Sequence, residues 1–222
     1  MKLKQLPRPE LIIFDWDDTL VDNYAAIHLA INAARAAFGQ PVWTLAETRQ
    51  NCRIALKEIF PVWFGADWPK AQEVFYATFA AEHIKHLRPK PFAAPLLAKL
   101  AKQRIPLAVN SNKQSGFLRA EIKHLGWEDY FTVVVGAGDV DKGKPAPDGI
   151  NKIRQITRIA SRQVWFVGDN QVDYETALAG SCVAVILGKQ ADHSASDIII
   201  TRSLRALHDS VCLRYLPSDA LK

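Results

Sequence analysis

Short apolar runs alternate with helix-like spacing of apolar residues along most of the chain. The first run is Leu11-Ile12-Ile13-Phe14, and similar runs recur at 106–109, 132–135, 164–167, 183–187 and 198–200. Runs of this kind are typical of strands buried on both faces. Between the later runs, apolar residues return every three or four positions, over 117–125 and again over 150–159. This alternation predicts an α/β fold in which a doubly wound parallel sheet carries helices on both faces.

One connection in this pattern is much longer than the others. A strand–helix–strand unit needs about 30 residues or more, but the stretch between the strand ends at Asp15 and Ser111 is far longer. Prolines 89, 91 and 95 follow the extra segment. We therefore predict a core domain of residues 1–21 and 91–222, with a small helical cap domain inserted at residues 22–90.

The inserted segment itself has a helical pattern. Apolar positions predict one helix over 27–38, a second from Thr44 through Ile59, and a third from near Trp68 to Leu87. The second begins with Thr44-Leu45-Ala46-Glu47, which is a capping-box pattern. Three tryptophans of the chain, at 43, 63 and 68, fall in this segment, as expected for a small helical bundle that must build its own core.

Composition and charge exclude several classes of protein. With 49% hydrophobic and 23% charged residues, the chain is unlike disordered or collagen-like proteins. A net charge of +5 is spread along the chain without a run of five like charges, so no nucleic-acid partner is expected. The apolar run at 11–14 is too short for a signal peptide or a membrane span, so no membrane association is expected.

Cysteine usage points to a reducing compartment. The three cysteines are odd in number, widely separated and without a CxxC pair, which disfavours both a disulfide framework and a zinc site. We therefore predict a cytoplasmic protein. The sequence favours neither a monomer nor a dimer.

Two carboxylates follow the first predicted strand. Asp15 and Asp17 lie two residues apart in Asp15-Trp16-Asp17-Asp18-Thr19, so in an extended backbone their side chains point the same way. The carboxyl ends of parallel strands form the usual ligand crevice of such a sheet. A long insertion after this strand would lie over that crevice.

Further polar groups are predicted at the same edge of the sheet. Ser111 and Asn112 end the second core strand, Asp169 follows the strand at 164–167, and Asp173 comes four residues later. Lys144 lies in the proline-stiffened loop Gly-Lys-Pro-Ala-Pro-Asp. A hydroxyl, an ammonium and several carboxylates would then share one rim.

Each of these residues also has a simpler interpretation. Aspartates are common in turns at strand ends, and Ser111 and Asn112 could cap a helix. Lys144 could be a surface lysine, and Asp173 could be an acid in the first turn of a helix. All these residues are predicted at the same edge of the sheet. Their occurrence together favours one functional site over separate structural roles.

Taken together, these motifs resemble the haloacid dehalogenase-like (HAD) hydrolase superfamily, in the branch with a helical cap inserted after the first strand. The four motifs occur in order and span about residues 11 to 200. Within that branch, Ser-Asn-Lys, Lys-Pro-x-Pro-Asp and Val-Gly-Asp are most similar to phosphoglycolate phosphatase-like enzymes. The resemblance implies a Rossmann-like core and a phosphatase that acts on a small phosphorylated metabolite.

The resemblance also implies a role for each acidic residue. Asp15 would be the nucleophile that forms an aspartyl-phosphate. Asp17 would protonate the leaving oxygen and later deprotonate the attacking water. Mg²⁺ would be the cofactor, held by the carboxylates of Asp15 and Asp169 and by the backbone carbonyl of Asp17, in keeping with the preference of this ion for oxygen ligands.

The remaining motif residues would handle the charge of the phosphate. By the same resemblance, Lys144 and the metal would offset the repulsion between a carboxylate and a phosphate dianion. Ser111 would hydrogen-bond a phosphoryl oxygen, and backbone N–H groups near Asn112 could add to an anion nest. Asp173 would orient Lys144 or a metal-bound water.

Substrate choice is expected to depend on the inserted segment. Arg49 and Arg53 are four residues apart, would share a helix face, and could bind a carboxylate or a second phosphate of the substrate. An exposed basic helix face explains the same pair equally well. Two other functions stay open: a sugar-phosphate mutase of the same family, and a non-catalytic protein that binds or responds to a phosphorylated ligand.

Overall fold

The computed structural model describes residues 8–52, 56–160, 163–188 and 198–214. The chain divides into two compact units, the first formed by Met1–Val21 with Pro89–Lys222 and the second by Asp22–Arg88. In chain order the elements are Leu11–Phe14 (β1), Val21–Asp22 (β2), Tyr24–Ala37 (α1), Leu45–Asn51 (α2), Leu56–Phe64 (α3), Trp68–His86 (α4), Arg88–Pro89 (β3), Ala93–Lys102 (α5), Leu107–Gln114 (β4), Ser115–His124 (α6), Val133–Ala137 (β5), Asp148–Thr157 (α7), Val164–Gly168 (β6), Gln171–Ala179 (α8), Val183–Leu187 (β7), Ile198–Thr201 (β8) and Leu204–Arg214 (α9).

The first unit is built on a parallel sheet. Within the described ranges, this sheet has the strand order β5-β4-β1-β6-β7-β8. Every neighbouring pair is parallel, as predicted from the unbroken apolar runs. β1 lies in the middle, and all four of its residues are fully buried. The α/β prediction is confirmed.

Helices pack against this sheet through their apolar stripes. In α7 the stripe contains Ile150 and Ile153, both fully buried, which join the core with β1 and β6 residues such as Ile13 and Phe166. The hydrophobic effect of burying such side chains is worth about 1.5–3 kcal/mol each. Because these side chains pack tightly, the central sheet is firmly held, and the loops that leave its strand ends have fixed starting points.

The second unit is helical. α1 packs on α4, and its core includes Phe60, Phe75 and Phe79, with the last two rings stacked at 5.8 Å. α2 begins at the predicted capping box, in which Thr44 Oγ1 accepts a hydrogen bond from the backbone N–H of Glu47 at 3.2 Å.

The predicted helix from Thr44 through Ile59 is wrong in its extent. α2 ends at Asn51 and α3 begins at Leu56, with the chain between them partly outside the described ranges. The apolar period alone did not show this break, because a helix that ends and restarts preserves similar spacing of apolar residues. The helix predicted from Trp68 to Leu87 is observed as α4.

Within the described ranges, no helix combines the length and the apolar character that crossing a bilayer requires.

Candidate active site

The ends of three adjacent strands bring the motif residues to one edge of the sheet. Phe14 of β1 pairs with Val109 of β4 on one side and with Val167 of β6 on the other. The backbone N–H of Asp15 donates to the carbonyl of Val167 at 2.8 Å. The side chains that follow these positions therefore emerge together at the carboxyl edge, where ligands bind in sheets of this type.

Lys144 holds the two innermost carboxylates. Its Nζ lies 2.5 Å from Asp15 Oδ1 and 2.6 Å from Asp173 Oδ1. The lysine and Asp15 side chains are each 5% exposed, and Asp173 is fully buried. The predicted nucleophile is thus in direct contact with the predicted lysine.

Asn112 fixes the loop that carries Lys144. Its side-chain Oδ1 accepts the backbone N–H of Lys144 at 2.8 Å, and its Nδ2 donates to the carbonyl of the same residue at 2.9 Å. A Cβ at Gly143 would lie 2.5 Å from Asn112 Oδ1, so a glycine is required beside this two-point contact. Asn112 therefore acts on the lysine loop, rather than capping α6, whose N-cap position is Gln114.

Asp173 joins the start of α8 to the same cluster. Asn170 and Asp173 form a capping box, and Asp173 Oδ2 also accepts the backbone N–H of Asp169 at 3.0 Å. A Cβ at Gly168 would lie 2.3 Å from the Cβ of Asp173, so the strand end must be glycine for this carboxylate to approach. The two interpretations of Asp173, a helix-start acid and a partner of Lys144, are both seen in the geometry.

Thr19 connects two of the acidic side chains. Its hydroxyl lies 3.1 Å from Asp15 Oδ2 and 3.4 Å from Asp169 Oδ1. Carboxylate oxygens of Asp15, Asp169 and Asp173 all lie within 4.8 Å of one another. This set of hard oxygen donors suits a divalent cation such as Mg²⁺.

The close carboxylates disturb one another's titration. Burial, together with the charge of Asp173, raises the pKa of Asp15 to about 7, although Lys144 opposes the rise. Burial and the charge of Asp15 raise the pKa of Asp169 to about 8. Burial alone would lower the pKa of Lys144, but the two carboxylates that it contacts raise it above its ordinary value. Negative charge therefore exceeds positive charge at this spot, and a bound cation would relieve the excess.

Asp17 is held by a second lysine. Lys113 Nζ lies 2.6 Å from Asp17 Oδ1 and 2.7 Å from Glu121 Oε2, and Glu121 is fully buried. Burial raises the pKa of Asp17, the positive charge of Lys113 lowers it, and the charge of Glu121 raises it again. The net direction of the pKa shift is upward, which suits the predicted role of Asp17 as a proton donor.

Ser111 and Asp18 complete the surroundings. Ser111 is buried within β4, where its Oγ accepts the backbone N–H of Lys113 at 3.2 Å. The predicted strand ended at Ser111, whereas β4 continues to Gln114. Asp18 has a left-handed backbone with φ of 63°, and its carboxylate lies 2.5 Å from Lys90 Nζ.

The predicted substrate-binding arginines belong to the second unit. Arg49 Nη2 lies 2.8 Å from Asp22 Oδ2, and its guanidinium stacks 4.3 Å from the ring centre of Tyr24. Its side chain is 37% exposed. Arg53 lies outside the described residues.

Several contacts were not predicted from the sequence. The sequence motifs include Lys113 and Thr19 without indicating a role for them, and they do not include Glu121 or Lys90. For Glu121 a signal exists, because a carboxylate three residues after Leu118 lies on the apolar face of the predicted helix. A charge in such a position is paired when buried.

Comparisons with known proteins identify the family of the chain. A family model described as haloacid dehalogenase-like hydrolase matches residues 12–186. The phosphoglycolate phosphatase of Yersinia pestis is 30% identical over 184 residues, covering 78% of this chain and 78% of that protein. The phosphoglycolate phosphatase of Escherichia coli (strain K12) is 28% identical over 222 residues, covering 85% of this chain and 87% of that protein.

A solved structure supports the fold. The haloacid dehalogenase-like family hydrolase of Streptococcus pneumoniae superposes with a TM-score of 0.78 at 23% identity, over 89% of this chain and 96% of that one. The predictions of family and of fold are confirmed. The chain belongs to the haloacid dehalogenase-like hydrolase family, as an enzyme of the phosphatase type.

Proposed function

We propose that the protein is a Mg²⁺-dependent phosphatase that hydrolyses a small phosphorylated metabolite, phosphoglycolate-like or a sugar phosphate, through an aspartyl-phosphate. The observation that carries this proposal is the contact of Asp15 with Lys144, within a group of carboxylates that can hold a cation. The activity of the phosphoglycolate phosphatases described above is consistent with this substrate class.

The donor set supports a metal bound by Asp15 and Asp169. Asp173 Oδ1 accepts a hydrogen bond from Lys144, and its Oδ2 accepts two backbone N–H groups, whose positions the chain fixes. Asp15 Oδ2, in contrast, accepts the hydroxyl of Thr19, which can rotate away when a metal binds. Asp173 therefore suits a supporting role, and the backbone carbonyl of Asp17 is proposed as the further ligand. When bound, the metal would supply positive charge that offsets the charge of the phosphate and of the attacking carboxylate.

Protein groups account for the remaining steps. A carboxylate oxygen of Asp15 forms a bond to phosphorus while the bond from phosphorus to the leaving oxygen breaks, and the proton of Asp17 passes to that leaving oxygen. Lys144 stabilises the negative charge on the phosphoryl oxygens. Ser111 donates a hydrogen bond to one of them. Asp17 then takes a proton from the water that releases inorganic phosphate and restores Asp15.

The second unit is proposed as the cap domain that selects the substrate. Arg49 is held between Asp22 and the ring of Tyr24, so its guanidinium is oriented before any ligand arrives. An anionic group of the substrate would compete with Asp22 for this guanidinium. Arg53 stays a predicted partner of Arg49.

A hydrolysis assay tests the proposal. The purified protein should release inorganic phosphate from p-nitrophenyl phosphate only when Mg²⁺ is present, and Asp15→Asn should lose this activity while remaining folded. Asp141→Asn, which alters an exposed aspartate, is the matched control and should be fully active. Full activity of Asp15→Asn would refute the nucleophile assignment. A panel of phosphorylated metabolites then identifies the substrate, and transfer of phosphate to a sugar hydroxyl instead of water would indicate a mutase.

A further inference from the structure

Behind Asp17 lies a buried chain of polar groups that the steps above do not use. Lys113 Nζ contacts Asp17 Oδ1 at 2.6 Å and Glu121 Oε2 at 2.7 Å. Trp16 Nε1 donates to the same Glu121 oxygen at 2.7 Å. The lysine side chain is 5% exposed, while Glu121 and Trp16 are fully buried.

Three different segments contribute to this group. Trp16 belongs to the turn after β1, Lys113 to β4 and Glu121 to the inner face of α6. Trp16 is itself fixed by edge contact with Trp127 at 5.9 Å between ring centres. Because Lys113 and Glu121 lie on a strand and a helix, and Trp16 is held by its buried ring contact, the ammonium of Lys113 has a fixed position beside Asp17.

Stability alone does not account for such an arrangement. Replacing a buried ion pair by apolar side chains of similar volume is often neutral or stabilising. A buried carboxylate that contributes little net stability needs another explanation, and the lysine that it holds contacts the proposed proton donor. The arrangement also leaves Oδ2 of Asp17 available for another contact. Within the described part of the chain, the hydrogen bond to the Asp17 carboxylate is made to Oδ1.

We propose that Lys113 is a positioning residue for Asp17, and that Glu121 and Trp16 hold Lys113 in place for this purpose. The inference rests on the proposed function. By binding Oδ1, Lys113 orients the carboxyl so that Oδ2 serves the proton transfer. In that step the bond between phosphorus and the leaving oxygen breaks, and the leaving oxygen takes the proton of Asp17 as it keeps the electron pair.

A dependence on the leaving group follows. p-Nitrophenolate departs without a proton because its negative charge is delocalised. Phenol is a much weaker acid than p-nitrophenol, so the leaving oxygen of phenyl phosphate needs the proton of Asp17. General acid catalysis contributes about 10²–10⁴-fold to such steps. Loss of the correct Asp17 orientation should therefore slow phenyl phosphate far more than p-nitrophenyl phosphate, although the two substrates have similar shapes.

The test uses a double variant that is expected to fold. Lys113→Met with Glu121→Leu removes both charges together, so neither is left unpaired in the interior. We measure kcat/KM for both aryl phosphates with saturating Mg²⁺, and unfolding by urea. Asp17→Asn supplies the reference pattern, and Lys123→Met, an exposed lysine on the same helix, is the matched control.

The double variant should lose at least about tenfold more kcat/KM on phenyl phosphate than on p-nitrophenyl phosphate, and Asp17→Asn should show the same preference. The single variant Glu121→Gln keeps an oxygen acceptor for Lys113 and Trp16. It should therefore retain most of the phenyl phosphate activity that the double variant loses. Equal losses on the two substrates, or no loss, would overturn the inference, as would an Asp17→Asn variant without substrate preference. Failure of the proposed function is distinct, since the wild-type protein would then hydrolyse neither compound.

Discussion

Removing the ammonium of Lys144 gives a test of the charge balance in the site. Lys144→Met keeps a side chain of similar length but leaves Asp15 and Asp173, which the ammonium contacts at 2.5 and 2.6 Å, without their shared cation. Deleting one partner of a buried ion pair costs about 3–5 kcal/mol. We therefore expect the free energy of unfolding of the metal-free protein to fall by about that amount near pH 8.

The loss should depend on pH in a defined direction. Since the pKa values of Asp15 and Asp169 are raised to about 7 and about 8, the folded protein binds protons more tightly than the unfolded chain. Their contribution to stability is therefore present below the ordinary aspartate pKa of 3.8 and is lost as the pH rises through these folded-state values. At about pH 5 Asp15 is largely protonated, so the part of the loss that comes from its contact with Lys144 should be smaller there.

Urea denaturation at the two pH values, with and without Mg²⁺, measures these differences. Bound Mg²⁺ should reduce the loss near pH 8, because it supplies part of the missing positive charge. Lys142→Met, on the exposed part of the same loop, should change stability little at either pH. A loss for Lys144→Met that is the same at both pH values and unaffected by Mg²⁺ would refute the reasoning.

Three further predictions follow from the geometry. In a thermal unfolding assay, the increase in Tm caused by Mg²⁺ should grow from about pH 5 to about pH 8, since protons compete with the ion for the carboxylates. Gly143→Ala should lower kcat/KM by about ten- to a hundredfold, because its Cβ would displace Asn112 and shift the lysine loop. Thr44→Ala should reduce the free energy of unfolding by about 1 kcal/mol through loss of the α2 capping box, as measured in urea.

Each of these has a control in the same chain. Gly116→Ala meets open space and should leave kcat/KM unchanged, so an equal effect of the two glycine substitutions would contradict the steric argument. Thr78→Ala removes only a hydroxyl bonded within α4 and should cost less than Thr44→Ala. A Tm increase with Mg²⁺ that does not vary with pH would argue against binding by the raised carboxyls.

The fold could be predicted from the sequence to a large extent because its signals are local. Uninterrupted apolar runs mark strands buried on both faces, and β1 at Leu11–Phe14 was read directly from such a run. Strand order was not predictable in this way, since it depends on pairings between distant segments. Continuation of β4 past Ser111 was also missed, because polar residues there break the apolar pattern while the backbone stays extended.

For the site, the motifs predicted the acidic residues and Lys144, which the structure brings close together, but not their supporting contacts. Asn112 was predicted only as a supporting residue, because its hydrogen bonds to the backbone of Lys144 join β4 to a loop that is distant in sequence. The pair formed by Lys113 and Glu121 crosses from a strand to a helix, so no spacing rule connects them. The one sequence signal for this pair is the position of Glu121, a single carboxylate on the apolar face of the predicted helix.

Asp173 joins two functions that are usually separable. The same carboxylate closes the first turn of α8 and binds the lysine that contacts Asp15, the proposed nucleophile. A substitution at Asp173 would weaken the start of α8 and displace Lys144 at the same time. Activity therefore cannot be changed at this position without also changing stability. Redesign of this protein should therefore leave Asp173 alone and seek variation elsewhere.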